Sequence, residues 1–363
     1  MSADTIRNAL RHLHEDPESG EAWQTVEELA GAPGDEAPEV LRLLEEARAF
    51  HEQFQDWSVV VRLFGLEIPL EEEVAVIVSK EKELARIFQE ELLDEDAALD
   101  ALRRVAELTP EDEEVKQTIR LALTAKEQWA DTVETYLIEA LDGDEPAIQA
   151  RLLASAADTS FRYAADDSEV LAKLINYLEQ ALELNPSSRR ALDLAKLAYA
   201  RAGEWRKLCD ILDRQATDPP KEQQIAAYRH LAHVALKKME DEERAVRAYQ
   251  DLLALDAANA GALAFLVRYY SEHEDWKRLV GVYDAQLNSG TVAAEEEFGL
   301  LVQIAMLNWR SRDKPAAAEP YFERVRRLEP THAGMLQFFR ECYGERGENE
   351  RLISVLTDAQ RAT

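Results

Sequence analysis

Nineteen residues after Pro38, Pro110 and Pro186 stand Trp57, Trp129 and Trp205. The same count from Ala257 reaches Trp276, and from Pro330 it reaches Asn349. Five coincidences at one offset define a repeat, with steps of 72, 76, 71 and 73 residues. Such a step is too long for one helical hairpin and right for two, so the chain is expected to be built by stacking rather than around one core. Length agrees, because 363 residues exceed what a single compact core usually serves.

The elements of the unit are legible as helix faces. Before each Pro-like stop, a small or apolar residue is followed by larger ones at i, i+4 and i+7: Ala98, Leu102 and Val105; Leu174, Leu178 and Ala181; Ala245, Tyr249 and Leu252; Ala318, Phe322 and Val325. After each Trp or its equivalent run Val60 and Phe64, Thr132 and Tyr136, Leu208 and Leu212, Leu279 and Tyr283, Leu352 and Leu356. Tyr199, Tyr270 and Tyr343 stand six residues before Trp205, Trp276 and Asn349, with a polar run such as "SEHED" between. A Tyr closing one helix and a Trp opening the next explains these aromatics as marks of the unit rather than of a ligand cage.

This pattern resembles the tetratricopeptide repeat, a helix–turn–helix unit with small and aromatic residues at fixed offsets. The family's early Trp and Gly-Tyr signature is mostly absent. The resemblance spans nearly the whole chain and implies an all-α, right-handed superhelical solenoid of about ten hairpins. Expected extents are 4–31, 39–67, 72–108, 111–141, 146–184, 187–216, 221–255, 258–287, 294–328 and 331–361. Links are expected to vary most at 142–146, 217–222 and 288–297, where insertions run over the surface. No low-complexity linker interrupts the pattern, so residues 1–363 are expected to form one continuous array.

Charge divides the chain. Residues 1–145 hold 38 Asp/Glu against 13 Lys/Arg, and residues 146–363 hold 34 against 29. An acidic N-terminal part repels nucleic acid, whose binding needs cations to displace condensed counterions. It is expected either to keep the chain soluble or to steer a partner with a basic segment toward residues 71–73, 81–83, 90–96 and 111–114. The first twenty residues lack an apolar core and no run approaches a membrane span, so a soluble cytoplasmic protein without membrane insertion is expected.

Chemistry is sparse. The histidines at 12, 14, 51, 230, 233, 273 and 332 are scattered, and no metal, nucleophile-elbow or phosphate-loop motif occurs. Cys209 and Cys342, 133 positions apart on apolar faces, are expected to be buried free thiols. A non-catalytic chain without cofactor or metal is therefore expected. The resemblance implies a protein-interaction scaffold whose first helices line a concave groove holding a peptide. Carried over residue by residue, the groove positions are Glu83, Gln117, Thr159, Asp193, His230, Ala264, Gln303 and Gln337. One turn on lie Ile87, Leu121, Tyr163, Leu197, Val234, Arg268, Leu307 and Glu341. Tyr163, His230 and Arg268 would supply an aromatic face and hydrogen bonds. The family's carboxylate clamp is absent from these positions. The alternatives are a regulatory domain of an enzyme system and, below it, a nucleic-acid-binding repeat using the Arg/Lys cluster at 310–327.

Overall fold

The computed structural model describes residues 2–217, 220–290 and 292–362. Part of two expected links (218–219 and 291) lies outside them. No strand occurs among the described residues, and consecutive helices pack against one another. Two compact units result, Met1–Ala245 and Val246–Thr363. Unit 1 opens with α1 (Ser2–Glu15), α2 (Gly20–Gly31), α3 (Ala37–Gln53), α4 (Trp57–Glu67), α5 (Val74–Ile87) and α6 (Glu95–Leu108). It continues through α7 (Glu113–Asp142), α8 (Pro146–Ala164), α9 (Ser168–Leu184), α10 (Arg189–Ala202), α11 (Trp205–Gln215) and α12 (Lys221–Lys237). After α13 (Glu242–Leu255), unit 2 holds α14 (Ala260–Glu272), α15 (Trp276–Asn288), α16 (Ala294–Met306), α17 (Pro315–Leu328), α18 (Ala333–Arg346) and α19 (Asn349–Ala362).

The expected hairpins are found, with one exception. The segment 111–141 is not a hairpin: α7 is a single helix of 30 residues. Its first half packs on α6 and its second half on α8, so it splints two blocks of unit 1. The cause is local. Four other first hairpins turn through a left-handed residue, Gln55, Gly203, Glu274 or Gly347 (φ 59°, 70°, 53° and 70°). An acidic residue then follows, and its N–H bonds back to the carbonyl of His51, Tyr199, Tyr270 or Tyr343 at 2.9–3.0 Å. At the same place α7 carries "TAKEQ", where Ala, Lys, Glu and Gln favour helix and Gln128 replaces the acid that follows the left-handed residue in the other four.

Second hairpins turn differently, which is why the period is two hairpins long. The N–H groups of Asp94, Asp241 and Lys314 reach six residues back, to Phe88, Ala235 and Asn308, at 2.8–2.9 Å. The intervening Leu93, Glu240 and Asp313 are left-handed. The Pro-like stops place the next N-cap two residues on. Asp112, Ser188, Asn259 and His332 each accept a bond from the backbone N–H three residues ahead.

The small positions are as tight as expected: Ala98, Ala245 and Ala318 are fully buried, as are Val105, Leu252 and Val325. Tyr270 and Tyr343 are fully buried and Tyr199 nearly so, whereas Trp57, Trp205 and Trp276 are half-buried beside the turns and Trp129 is half-buried within α7. In unit 2 the core runs through Trp309, Phe322, Phe338, Phe339 and Tyr343, with ring centroids 4.5–6.4 Å apart. Cys209 and Cys342 are free and buried.

Candidate binding surface

Unit 1 brings together the side chains of first helices that are far apart in sequence. Arg162 on α8 donates at 2.7 Å to the carbonyl of Gln89 and to Glu95, at the α5–α6 corner. It also pairs with Asp158 at 3.1 Å, and Arg190 on α10 reaches the same carboxylate at 2.8 Å. Tyr163 follows, half-buried, its phenol pushed up by burial and then by the Glu95 charge. Asp193 on α10 accepts from Gln215 at 2.8 Å. Lys196, one turn nearer the centre, acts on both Glu91 and His230. Glu91 is held above the usual carboxylate range by burial, and Asp193 adds to that shift.

His230 on α12 shows what kind of place this is. Its side chain is exposed on α12, and Lys196 of α10, His233, Asp56 and Glu18 all bear on its ring. Its imidazole is driven down by desolvation, then by Lys196 and His233, while Asp56 and Glu18 oppose the shift.

The expected positions divide. Asp193 and Lys196 both bear on Glu91, Lys196 bears on His230 and Glu95 on Tyr163, while Glu83 is engaged by Arg86 at 2.7 Å. Gln117 is exposed on the long α7. Arg268, Gln303 and Gln337 are exposed on α14, α16 and α18 of unit 2, with Arg268 over the Phe265 ring at 5.6 Å and Gln337 bonded to Glu341 at 2.8 Å. Ile87 and Val234, expected one turn further into the groove, are core residues instead (0% and 2% exposed). The helix rotates them inward because their neighbours Leu84 and Leu231 already turn toward the core.

The acidic segments are less free than their sequence suggests. Glu81 is buried in a two-bond pair with Arg104 (2.7 and 2.9 Å). Glu95 binds Arg162, Asp112 binds Lys82 at 2.9 Å, and Glu113 binds Lys116 at 2.8 Å. Glu71 joins a cluster in which Lys80 also meets Glu45 and Glu67, both at 2.9 Å. Apart from Lys116, which lies one turn from Glu113 on α7, the cations come from other helices, which periodicity along one helix does not show.

No group of His, Cys, Asp and Glu among the described residues is arranged to hold a metal, and no described helix is long and apolar enough to cross a membrane. The thiol of Cys209 is pushed up to about 11 by burial, which makes it a packing group rather than a nucleophile.

No family model matches this chain, and neither does any curated protein. Alignments to solved structures cover 99% of it. The TPR domain of P58(IPK) is 14% identical over 93% of that chain, with a TM-score of 0.25. Yeast Tom70 is 12% identical over 76% of its chain (TM-score 0.22), and the Cut9–Hcn1 assembly of the APC/C is 13% identical over 78% (TM-score 0.23). Likenesses at this level carry no argument about function or arrangement. The hairpins themselves establish an all-α helical-repeat chain with tetratricopeptide-like spacing.

Proposed function

We propose that this chain is a non-catalytic scaffold that binds a segment of another protein along the interior face of unit 1. What supports this most directly is His230, exposed on α12 with Lys196 bearing on it from α10, where Asp193 also stands; with the half-buried Tyr163 of α8 these residues are taken as that face. These groups are not consumed by the core, and together they offer an aromatic face, both charge signs and a titratable ring. Such a surface suits an extended polar segment with basic and aromatic side chains, held by several modest contacts rather than by one deep pocket.

The test begins with a peptide carrying Lys, Arg and aromatic residues, selected by display against the whole chain. Tyr163→Ala, Asp193→Ala and His230→Ala should each weaken that peptide by about tenfold, or about 1.4 kcal/mol. Gln117→Ala and Gln303→Ala, outside this face, should leave binding unchanged. Equal affinity for all five variants would rule out the interior face as the binding surface.

A further inference from the structure

Unit 1 touches itself across most of its length. Arg229 on α12 donates at 3.2 Å to the carbonyl of His14, 215 positions away, and lies 3.4 Å from the Asp56 carboxylate. Its guanidinium sits 4.2 Å from the Phe54 ring centroid and 5.7 Å from that of Phe50. Further along the same helix face, His233 approaches Glu18 at 3.4 Å, and Lys237 pairs with Asp16 at 2.8 Å. Lys238 meets Glu18 at 2.8 Å. The receiving side is fixed: Trp23 ties the α1–α2 loop through Pro17 at 2.8 Å, and His51 donates to Asp56 at 2.9 Å.

We infer that these contacts form a clasp that opens and closes, and that the interior face of unit 1 accepts a partner segment only when the clasp is open. The second half rests on the interior face being the binding surface. Long side chains bridge the gap, and among the described residues α12 makes no extensive helix-on-helix contact with α1, α2 or α3. The ion pairs involve half-exposed groups such as Lys237 and Glu18, so salt weakens them. Closure also leaves two buried ring nitrogens, His14 Nε2 and His51 Nε2, without a hydrogen-bond partner, and holds the buried Arg229 Nη1 only through its ion pair with Asp56. The two rings lie in the clasp and are desolvated without full compensation. A closed state made of screened pairs and unsatisfied groups is marginal by construction. His230 directly follows Arg229 on α12 and stands three residues before His233, so the helix that closes the clasp is the one that carries this residue of the interior face.

The clasp can be tested with no partner. Spin labels at Gln24→Cys and Glu242→Cys report the distance across it, because both native thiols are buried and unreactive. Lys237→Glu with Lys238→Glu should lengthen that distance by more than about 5 Å, one helical turn. Adding Asp16→Lys and Glu18→Lys should restore it. Raising salt from 0.05 to about 1 M should lengthen it in the unaltered chain, a readout that needs no variant to fold. A distance insensitive to both charge reversal and salt would overturn the clasp and leave the binding surface untouched. In a second arm, the selected peptide should associate about tenfold faster with the reversed pair. If the clasp opens and association is unchanged while His230→Ala still weakens binding, gating is wrong and the surface stands. If it opens and no interior variant affects the peptide, the clasp stands as a moving joint and the surface is wrong.

Discussion

The hydroxyl of Tyr270 accepts a hydrogen bond at 2.7 Å from the amide of Gln250, twenty residues earlier on the preceding helix. Tyr199 makes the same link to Glu179 at 3.2 Å, and Tyr343 to Glu323 at 3.3 Å, each again spanning twenty positions. The ring fills the corner of one hairpin while the hydroxyl reaches the helix before it, so a single residue joins two neighbours. Burial and the Glu179 charge push the Tyr199 phenol up to about 12. Tyr270→Phe should cost about 0.5–1.5 kcal/mol, the net value of one such bond. Tyr270→Ala should cost about 3–5 kcal/mol through the cavity it leaves. Denaturant midpoints measure both, and a Phe variant as damaging as the Ala variant would show that the hydroxyl, not the ring, holds the corner.

The straight course of α7 gives a test whose sign decides. Glu274 turns a hairpin at φ 53°, a conformation costly for any residue with a Cβ, so Glu274→Gly should be stabilising by up to about 1 kcal/mol. Glu127 holds the equivalent place in the repeat but lies inside a helix, where glycine costs about 1 kcal/mol. Glu127→Gly should therefore destabilise. Stabilisation at both positions would mean that residues 113–142 turn back on themselves in solution.

Lys80 is the cation on which a buried carboxylate depends. Glu67 is fully buried, 2.9 Å from Lys80 and 2.8 Å from Arg48, and desolvation lifts its carboxyl above the usual range despite both cations. Lys80→Met should cost about 3–5 kcal/mol, because a half-paired charge remains inside. Lys80→Met combined with Glu67→Leu should recover much of that loss. Thermal or urea unfolding of the two variants separates the cost of the orphaned charge from the value of the pair, and an unrecovered loss would point to packing instead.

What sequence periodicity could reveal follows from its reach. The spacing between Pro110 and Trp129 is a property of the repeat, and it is kept even where the turn it marks is missing. The turn itself depends on the two residues at its corner: Glu274 turns where Glu127 does not, and what differs is the acid that follows elsewhere, Asp275 or Glu204, against Gln128. Reading those two residues beside the period would have identified the long helix. His51 stands six residues before Trp57, in the place of Tyr199 and Tyr270, and is likewise fully buried. The clasp was out of reach in another sense. It joins Asp16 to Lys237 through the accumulated rotation of the hairpins between them, and no single unit encodes that sum. Core positions such as Ile87 were misplaced because a one-turn step along a helix does not say which neighbour will cover it.

The clasp should loosen in mild acid, and His14 sets the direction. Its ring stacks on Phe50 at 3.9 Å, with Arg11 on its own helix and His51, Asp56 and Arg229 facing it from α3, the α3–α4 corner and α12. Burial first, then the positive neighbours, lower it from 6.5 to about 4, against the pull of Asp56. With the clasp open the ring regains water and titrates near its ordinary value. Between about pH 6.5 and 4 the open form then binds more protons than the closed one, so closure weakens as pH falls through that window. Above it this group contributes no pH dependence. His14→Phe keeps the stacked ring, removes the unsatisfied Nε2 and cannot be charged. The label distance should lengthen on acidification in the unaltered chain and change much less in the variant, with Asp16 and Glu18 left to supply the remainder. An identical profile in the two proteins would assign the acid response to those outer groups and remove His14 from the clasp.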